Sequence, residues 1–475
     1  MSINSLLNTA LSSLNAQNIA IEVSGENITN VNTDGYSRQT AVIETAPTSL
    51  ESGFPLGSGV KVSTIQRSYD SFLQAQLMAA NSTSGQGQTI SDALQTVQPL
   101  FNDLTTDGLG KSLQSFFNSY QDLAANAQGV PEREAVLSNA QQLVDDFHRI
   151  NTNLTDLKNN MNQSLIQITS NVNDDLNQIA SLNSTIMQTE ANGGTANEMR
   201  DQRELIMRQL SEQVGVKFSD NSDGTVSVSL PTGQALVTGK QAAQLSLQTN
   251  ATTGYYNVML TPPGGGGATD VTATIGGTNN SQGNIGGTLQ VRDVVVNKYL
   301  SQLDELASTV ANQVNAVQST GYGLTSASTG INMFTPPAAV SGYSASIAVN
   351  ITNTDDIAAA NADPATGGTG NNNNAQSLAA LYTKSLSMST GTTTLGDFYN
   401  SVVGGIGVDV QSAQRSQTQA GQIVTQLNNQ RESQSGVSLD EELVNLTKYQ
   451  KAYQGAAKVI NVGAEMFDTV LSLIQ

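Results

Sequence analysis

The sequence has no cysteine, no tryptophan and one histidine, His148. Without cysteine there is no disulfide framework, no thiolate nucleophile and no thiolate metal site. One histidine excludes a multi-histidine metal centre and argues against a histidine-based catalytic triad. Because His148 lies between Phe147 and Arg149 in a helical pattern, we expect a half-exposed residue on a helix surface. The composition therefore gives little support to catalysis.

Basic residues and long apolar runs are also scarce. Twenty Lys and Arg against 39 Asp and Glu give a net charge of −19. The basic residues form no cluster, so nucleic acid and anionic membranes are poor partners. No apolar run approaches the roughly 20 residues that span a membrane. The first 14 residues contain no Lys or Arg and no solid apolar run, so we expect no signal peptide. This favours a cytoplasmic protein, and the alternative is export by a route that uses another signal.

Glycine runs and acidic groups give no sign of a ligand site. The runs Gly264–Gly267 and Gly404–Gly407 lack the lysine and hydroxyl residue of a phosphate-binding loop. The segment Asp220–Gly224 lacks the distal glutamate of a calcium loop, so it is predicted to be a turn. Acidic pairs elsewhere fit solvated helix faces. We predict no catalytic residue, no cofactor and no metal site.

Both ends of the chain carry an apolar stripe in steps of three and four residues, the pattern of a helix that packs against other helices. A capping box, Ser438 and Glu441, precedes the C-terminal stripe. Isolated helices of this kind are marginal in water, so we expect the ends to pair with each other and with neighbouring subunits. The predicted assembly interface is Ile3, Leu7, Leu14, Ile21, Ile28, Leu439, Leu443, Leu446, Tyr453, Ile460, Phe467, Leu471 and Ile474.

Proline is absent between Pro131 and Pro231 and after Pro364, and these blocks have helical periodicity. The block 132–188 predicts a rod of roughly 80 Å at ~1.5 Å per residue. Similar seams run from Val296 to Val317 and from Ile406 to Leu427, the latter preceded by a capping pattern from Thr394 to Asp397. Helices of this length favour one antiparallel bundle.

The middle of the chain changes to alternating apolar and polar residues. The stretches 214–218 and 226–230 flank a turn and predict a hairpin. The stretch 256–260 continues the alternation, and 271–275 is interpreted as a further strand. Residues 319–373 are rich in Gly, Ser, Thr and Asn and predict an irregular insertion.

These patterns predict a mainly α protein with inserted β structure. Its nested, elongated layers comprise terminal coiled-coil helices, a long-helix antiparallel bundle and a small β insertion. The predicted domains are a terminal coiled-coil core (1–40 and 432–475), a helical bundle (41–211 and 288–431, containing the irregular 319–373) and a β domain (212–287).

The segment from Ser24 to Arg38 reads SGENITNVNTDGYSR. It resembles the N-terminal signature of the bacterial flagellar rod, hook and hook-associated proteins, in which an amphipathic helix leads into Asn-Ile-Ala-Asn and then Thr-x-Gly-Tyr. The matching turn residues are Asn27, Asn30, Gly35 and Tyr36. The asparagines can satisfy backbone groups where the helix ends, and the glycine can supply a positive φ. The segment from Gly436 to Gln454 and the motif Asp201-Gln-Arg-Glu-Leu resemble hook-associated members of this family.

The resemblance implies an extracellular structural subunit of the flagellum that joins hook to filament without catalysis. It implies a short ring of about eleven copies, as closed symmetry permits. Its partners would be further copies of itself, the hook protein, hook-associated protein 3 and a cytoplasmic export chaperone that binds the C-terminal helix. Secretion would use the flagellar export apparatus.

Two alternatives remain at this point. Another axial protein, such as hook-associated protein 3 or a flagellin-like protein, shares the coiled-coil ends. A secreted adhesin or enzyme would instead carry its activity in the β insertion. The glycine-tyrosine signature argues against a flagellin, and the lack of Cys and His in 212–287 argues against an enzyme.

Overall fold

A computed structural model describes residues 3–51, 54–101, 108–276, 282–368 and 370–472. It confirms the predicted fold class, since long helices dominate and small antiparallel sheets are inserted between them. The helices are α1 Ile3–Thr29, α2 Ser71–Val97, α3 Leu109–Ala125, α4 Val130–Ala191, α5 Asn197–Gln213, α6 Thr272–Gly276, α7 Gly283–Gln290, α8 Val296–Gln318, α9 Tyr343–Ser346, α10 Pro364–Gly367, α11 Asn373–Ala380, α12 Leu395–Ser435 and α13 Leu439–Ser472.

The strands are short, and those within the described ranges all pair in antiparallel fashion. The sheets have the orders β1-β4, β2-β3, β5-β6-β7-β8, β11-β10-β9 and β12-β13. The strands are β1 Gln39–Thr45, β2 Ser49–Glu51, β3 Phe54–Leu56, β4 Val60–Arg67, β5 Lys217–Asp220, β6 Val226–Ser229, β7 Ala235–Thr238, β8 Gln241–Ala242, β9 Gln244–Thr249, β10 Tyr256–Thr261, β11 Thr269–Asp270, β12 Leu386–Met388 and β13 Gly391–Thr393.

Helix α4 carries both large hydrophobic cores. It has 62 residues, which span about 90 Å, and Pro131 stands in its first turn. Its first half contributes Phe147 and Leu154 to a core shared with α3, α8 and α12. Its second half contributes Leu165 and Leu176 to a core shared with α5 and the β module. One continuous rod therefore joins a helical body to the β module.

The β module packs on the second half of α4. Asn183, which is fully buried, donates to the carbonyls of Val226 and Gly239 and accepts from the Val226 amide. The predicted hairpin across Asp220–Gly224 is formed by β5 and β6. The predicted strand at 271–275 is wrong: Thr272–Gly276 is a short helix, which buries Val271 and Ile275 in the core. In so short a stretch, the alternation of apolar and polar residues cannot be distinguished from the spacing of a single helical turn.

The segment 319–373 contains short helices and isolated β-bridges over the helical body. It docks on α4 partly through His148, whose Nε2 lies 2.9 Å from the Ile347 carbonyl oxygen. His148 is half-buried in the described structure. The lone histidine thus contacts a backbone group of the insertion.

Two antiparallel helix pairs join the beginning of the chain to its end. Helix α1 packs against α13, and α2 packs against α12. Asp70 caps α2 by accepting from the Phe72 and Leu73 amides, and Thr394 caps α12 by accepting from the Asp397 amide, as the capping pattern predicts. Within the described ranges, no helix combines the length and hydropathy that a membrane span requires.

Candidate assembly surface and hinge

The contact of α13 with α1 is narrow and lined by small or polar residues. On α13 the inward positions are Glu442, Tyr449, Ala456 and Gly463, spaced seven apart. At Gly463 a Cβ atom would lie 2.9 Å from Leu7 Cδ2, so glycine permits the close approach. Helix α1 buries Ala10, Ala16, Ala20 and Val23. A strict seven-residue period is the geometry of a left-handed coiled coil.

The large apolar residues of the predicted α13 seam lie beside this contact rather than inside it. Leu443 is 52% exposed and Phe467 is 48% exposed, although both belong to a helix packed on α1. Leu446 and Ile460 are half-buried, as are all five predicted residues of α1, and Ile474 lies outside the described residues. The remaining predicted seam residues are also exposed: Leu439, Tyr453 and Leu471.

Further exposed apolar residues of α13 lie off the predicted stripe. Because these residues depart from the three–four spacing, the periodicity of the sequence does not predict them, although they are plainly apolar. Monomeric soluble proteins rarely leave large apolar patches in water, so this helix has the surface of an interaction element. These residues are Val444, Val459, Val462, Met466 and Val470.

Asn27 fixes the turn that follows α1. Its Nδ2 donates to the Gln39 carbonyl at 2.8 Å, and its Oδ1 accepts from the Gln39 amide and the Tyr36 hydroxyl, each at 2.9 Å. Asn30 donates to the Glu26 carbonyl at 3.1 Å. Gly35 has φ +84°, where a side chain would be strained. The structure therefore brings the four predicted turn residues together in the connection from α1 to β1, residues 27–39, which we call the hinge.

A buried ion network lies beneath this turn. The Asp201 carboxylate of α5 accepts from the Ser37 amide at 2.8 Å and from Arg67 Nη1 of β4 at 2.9 Å. Arg67 Nη2 lies 2.5 Å from Glu204, and its guanidinium stacks 4.3 Å from the Tyr69 ring centroid. The motif Asp201-Gln-Arg-Glu-Leu resembles the family, but the sequence alone does not indicate that Asp201 binds Ser37 and Arg67. No sequence spacing connects it with Ser37 or Arg67.

A second ion cluster joins the turn to α13. Arg38 Nε lies 2.7 Å from buried Glu442, and Arg38 Nη1 lies 3.1 Å from Glu441. The Arg38 amide also donates to the Ser435 carbonyl at the end of α12. The described contacts therefore give Glu441 an arginine partner, where the sequence predicts a capping box with Ser438. A charge-assisted bond is stronger than a bond to a neutral amide.

Glu26, next to Asn27, faces Glu198 at the start of α5. A hydrogen bond with Glu198, partial burial and the charge of Glu198 raise the pKa of Glu26 from 4.5 to about 7. A carboxyl with a raised folded-state pKa favours the folded state while it is protonated. Stability is therefore lost as pH rises from about 4.5 to about 7, where the unfolded state has already released the proton.

We expect Glu26→Gln to flatten this pH dependence. Glutamine keeps a hydrogen-bond donor toward Glu198 and cannot ionise, so the melting temperature above pH 7 should exceed that of the unmodified chain. The check is a series of thermal melts across this pH range. Glu44→Gln, at an exposed position of β1, is the control and should leave the slope unchanged. Parallel curves for Glu26→Gln and the unmodified chain would contradict the coupling.

The arrangement offers contact surface and rigidity rather than chemistry. Among the described residues, no group of three or more His, Cys, Asp or Glu side chains could hold a metal ion. The ion networks lie where chain segments meet, not in a cleft. Exposed apolar end helices, a rigid hinge and a rod-shaped body define an axial structural subunit, the class to which flagellar rod and hook proteins belong.

Comparisons with known proteins identify the family. The profile of the flagellar hook-associated protein FlgK helical domain matches residues 94–334, about half of the chain. Residues 7–36 match the flagella basal body rod protein family, and residues 429–473 match the C-terminal domain of flagellar basal body rod FlgEFG proteins. The chain belongs to the flagellar hook-associated protein 1 (FlgK) family.

Full-length relatives agree. Flagellar hook-associated protein 1 of Bacillus subtilis is 29% identical over 98% of this chain and 97% of its own length. The Escherichia coli protein of the same name is 26% identical over 99% of this chain and all of its own length. The flagellar hook junction protein FlgK of Burkholderia pseudomallei shares the fold, with a TM-score of 0.67 and 17% identity over 76% of this chain and 100% of that structure.

The family confirms the predicted function and location. The chain is a structural, non-catalytic component of the bacterial flagellum at the junction of hook and filament, in the extracellular part of the organelle. Its partners belong to the flagellar axis. The family match identifies a hook-associated protein 1 rather than another axial protein, and its family is a structural one.

Proposed function

We propose that the α1–α13 pair is the element through which copies of this chain assemble. The exposed stripe of α13 packs against terminal helices of neighbouring copies, and the pairs line the central channel. About eleven copies close into a ring, a heterologous arrangement in which every copy makes the same two contacts. The ring stands on the hook protein and carries hook-associated protein 3.

The observation that supports this proposal is the exposure of Leu443 and Phe467. Burial of an apolar side chain contributes roughly 1.5–3 kcal/mol, and in the single chain about half of this contribution is unused at both residues. The narrow contact with α1 leaves room for further helices on both flanks of α13. An interface with neighbours would cover Leu439, Leu443, Tyr453, Phe467 and Leu471 together.

We further propose that a cytoplasmic chaperone covers α13 before export. An unassembled helix with this much exposed apolar surface is an aggregation hazard. A chaperone groove that accepts an amphipathic helix would use the same stripe as assembly does, so the two would be mutually exclusive. The absence of cysteine suits a chain that travels unfolded, because no disulfide can form on the way.

The turn residues Asn27, Asn30, Gly35 and Tyr36 are proposed to set the angle between the α1–α13 pair and the body. Asn27 ties the turn to β1, and Asp201 ties it to α5. Arg38 adds the third tie, to α13. With these three ties, the terminal pair moves with the body and presents its stripe in a fixed direction.

Deletion of the gene tests the proposal. We expect cells with complete hooks and no filaments, with filament subunits released into the medium, because the junction that retains them is missing. Restoring the full-length chain should restore filaments. Loss of the hook itself would contradict a place above the hook, and normal filaments would contradict a role in joining.

A further inference from the structure

The two large hydrophobic cores meet without merging. A domain usually has one contiguous core, but here the described residues form two separate clusters. On α4, Leu157 is the last buried residue of the first core, and Leu165 begins the second. The buried residue between them is Asn162, which is 6% exposed. An amide therefore interrupts the apolar seam of the rod.

Two further helical segments pass from one core to the other. In α2, Met78 belongs to the second core and Ala93 to the first. In the segment from α7 to α8, Leu289 belongs to the second core and Val291 to the first. The change there coincides with a π-helical turn, Val291–Val295. Such turns are rare and often mark functional positions within helices.

Polar side chains connect these three segments where the cores change. Arg292 is 2% exposed, and its Nη1 donates to the Asn162 Oδ1 at 2.8 Å and to the Tyr256 carbonyl of β10 at 2.7 Å. The same Asn162 oxygen accepts from the Tyr256 amide at 2.8 Å. Gln86 of α2 donates from its side chain to that of Gln290 at 2.9 Å. We call four of these residues the polar layer: Gln86, Asn162, Gln290 and Arg292.

A polar layer couples two cores more weakly than an apolar seam does. Its hydrogen bonds replace bonds to water, so their net contribution is small beside that of apolar burial. Arg292 forms an ion pair at 2.7 Å with Asp293, its neighbour in sequence, so this pair lies within the turn and ties no second segment. Because the apolar seam is interrupted here, unfolding of one core exposes little apolar surface of the other. Proteins open in contiguous cooperative units, and such an interruption is a natural boundary between two of them.

We propose that the polar layer divides the molecule into two units that unfold separately. The first unit contains α3, α8, the start of α12 and the first half of α4. The second contains α5, α7, the β module and the second half of α4. The boundary within α4 lies at Asn162, in the middle of a continuous helix, and not at the edge of the β module near residue 212. The second unit can therefore open while the first stays folded.

Amide hydrogen exchange of the full chain, followed by mass spectrometry of overlapping peptides, tests this proposal. The amides of α4 should fall into two groups with different opening free energies, and the step between the groups should lie between Met161 and Leu165. The amides of α5 and of the β module should exchange with the group that follows the step. This measurement requires no variant, so it stands even if a variant folds poorly.

Two variants of α4 serve as controls for each other. Leu154 and Leu176 are both fully buried, the former in the first core and the latter in the second. Leu176→Ala should speed exchange in the second unit by about 30-fold or more, the fold-change that corresponds to a loss of roughly 2 kcal/mol. Exchange in the first unit should stay within about twofold of the unmodified chain, as for independent sites. Leu154→Ala should have the reverse effect.

Equal acceleration of exchange in both units by Leu176→Ala would overturn the proposal, because the two cores would then unfold together. The absence of a step within α4 would also overturn it. A step at the end of α5 would do the same, since the boundary would then follow the edge of the β module rather than the polar layer.

Discussion

Leu443→Asp is expected to abolish filament attachment while leaving the single chain folded. Leu443 is 52% exposed, so in the monomer the change should lower the free energy of unfolding by only about 1 kcal/mol, the part of its burial contribution that the single chain uses. The proposed interface would bury the same position against a neighbouring copy. An unpaired carboxylate there costs several kcal/mol at every contact.

The measurement is complementation of a deletion strain with the variant chain. We expect cells without filaments and released filament subunits, while the purified variant still unfolds cooperatively at a temperature close to that of the unmodified chain. Gln121→Asp is the control, because it places the same carboxylate at an exposed residue of α3, outside the terminal helix pair. Filaments of normal number and length with Leu443→Asp would contradict the proposed seam.

Asp201→Ala is expected to destabilise the chain by about 3–5 kcal/mol, the cost of breaking a buried ion pair. The substitution leaves Arg67 without one of its two acids and leaves the Ser37 amide without its acceptor. Burial already raises the pKa of Glu204, so the remaining acid is a poor substitute partner for Arg67. The turn from α1 to β1 then loses its tie to α5.

Urea unfolding of Asp201→Ala and of the unmodified chain measures this loss of stability. Asp156→Ala, at an exposed position of α4, is the control and should change stability by no more than about 0.5 kcal/mol. The loss of stability for Asp201→Asn should lie between those of the control and of Asp201→Ala, because the amide oxygen can still accept from Ser37 but carries no charge to pair with Arg67. A loss below about 1 kcal/mol for Asp201→Ala would mean that the network behaves like a surface ion pair.

Most of the long helices, though not α2, could be predicted from the sequence because their pattern repeats many times. Over the 62 residues of α4, apolar residues such as Phe147 and Leu176 recur every three or four positions, and no tertiary contact is needed to recognise the helix. Helices α1, α8, α12 and α13 follow for the same reason. Short elements give too few repeats, so periodicity does not reveal the pairing of β1 with β4 and indicates a strand where Thr272–Gly276 forms a helix.

The candidate site was less accessible to sequence reasoning. The apolar stripe of α13 can be recognised from its periodicity. Periodicity does not show which residues of that stripe will contact α1 and which will stay exposed. In the structure the small residues Ala456 and Gly463 face α1, and the larger Leu443 and Phe467 do not. The hinge network joins positions more than a hundred residues apart, such as Arg67 and Asp201. The fold alone brings such residues together.

The central claim is that the α13 stripe is exposed in the single chain and covered in the flagellum. The chain has no cysteine, so Leu443→Cys and Thr252→Cys each introduce one thiol, the second on the exposed β9–β10 turn as a control for reagent access. The measurement is the rate of thiol labelling in the purified monomer and in isolated flagella. We predict rapid labelling of both monomers, and protection of Leu443→Cys but not of Thr252→Cys in flagella. Equal labelling of Leu443→Cys in the two states would contradict the account.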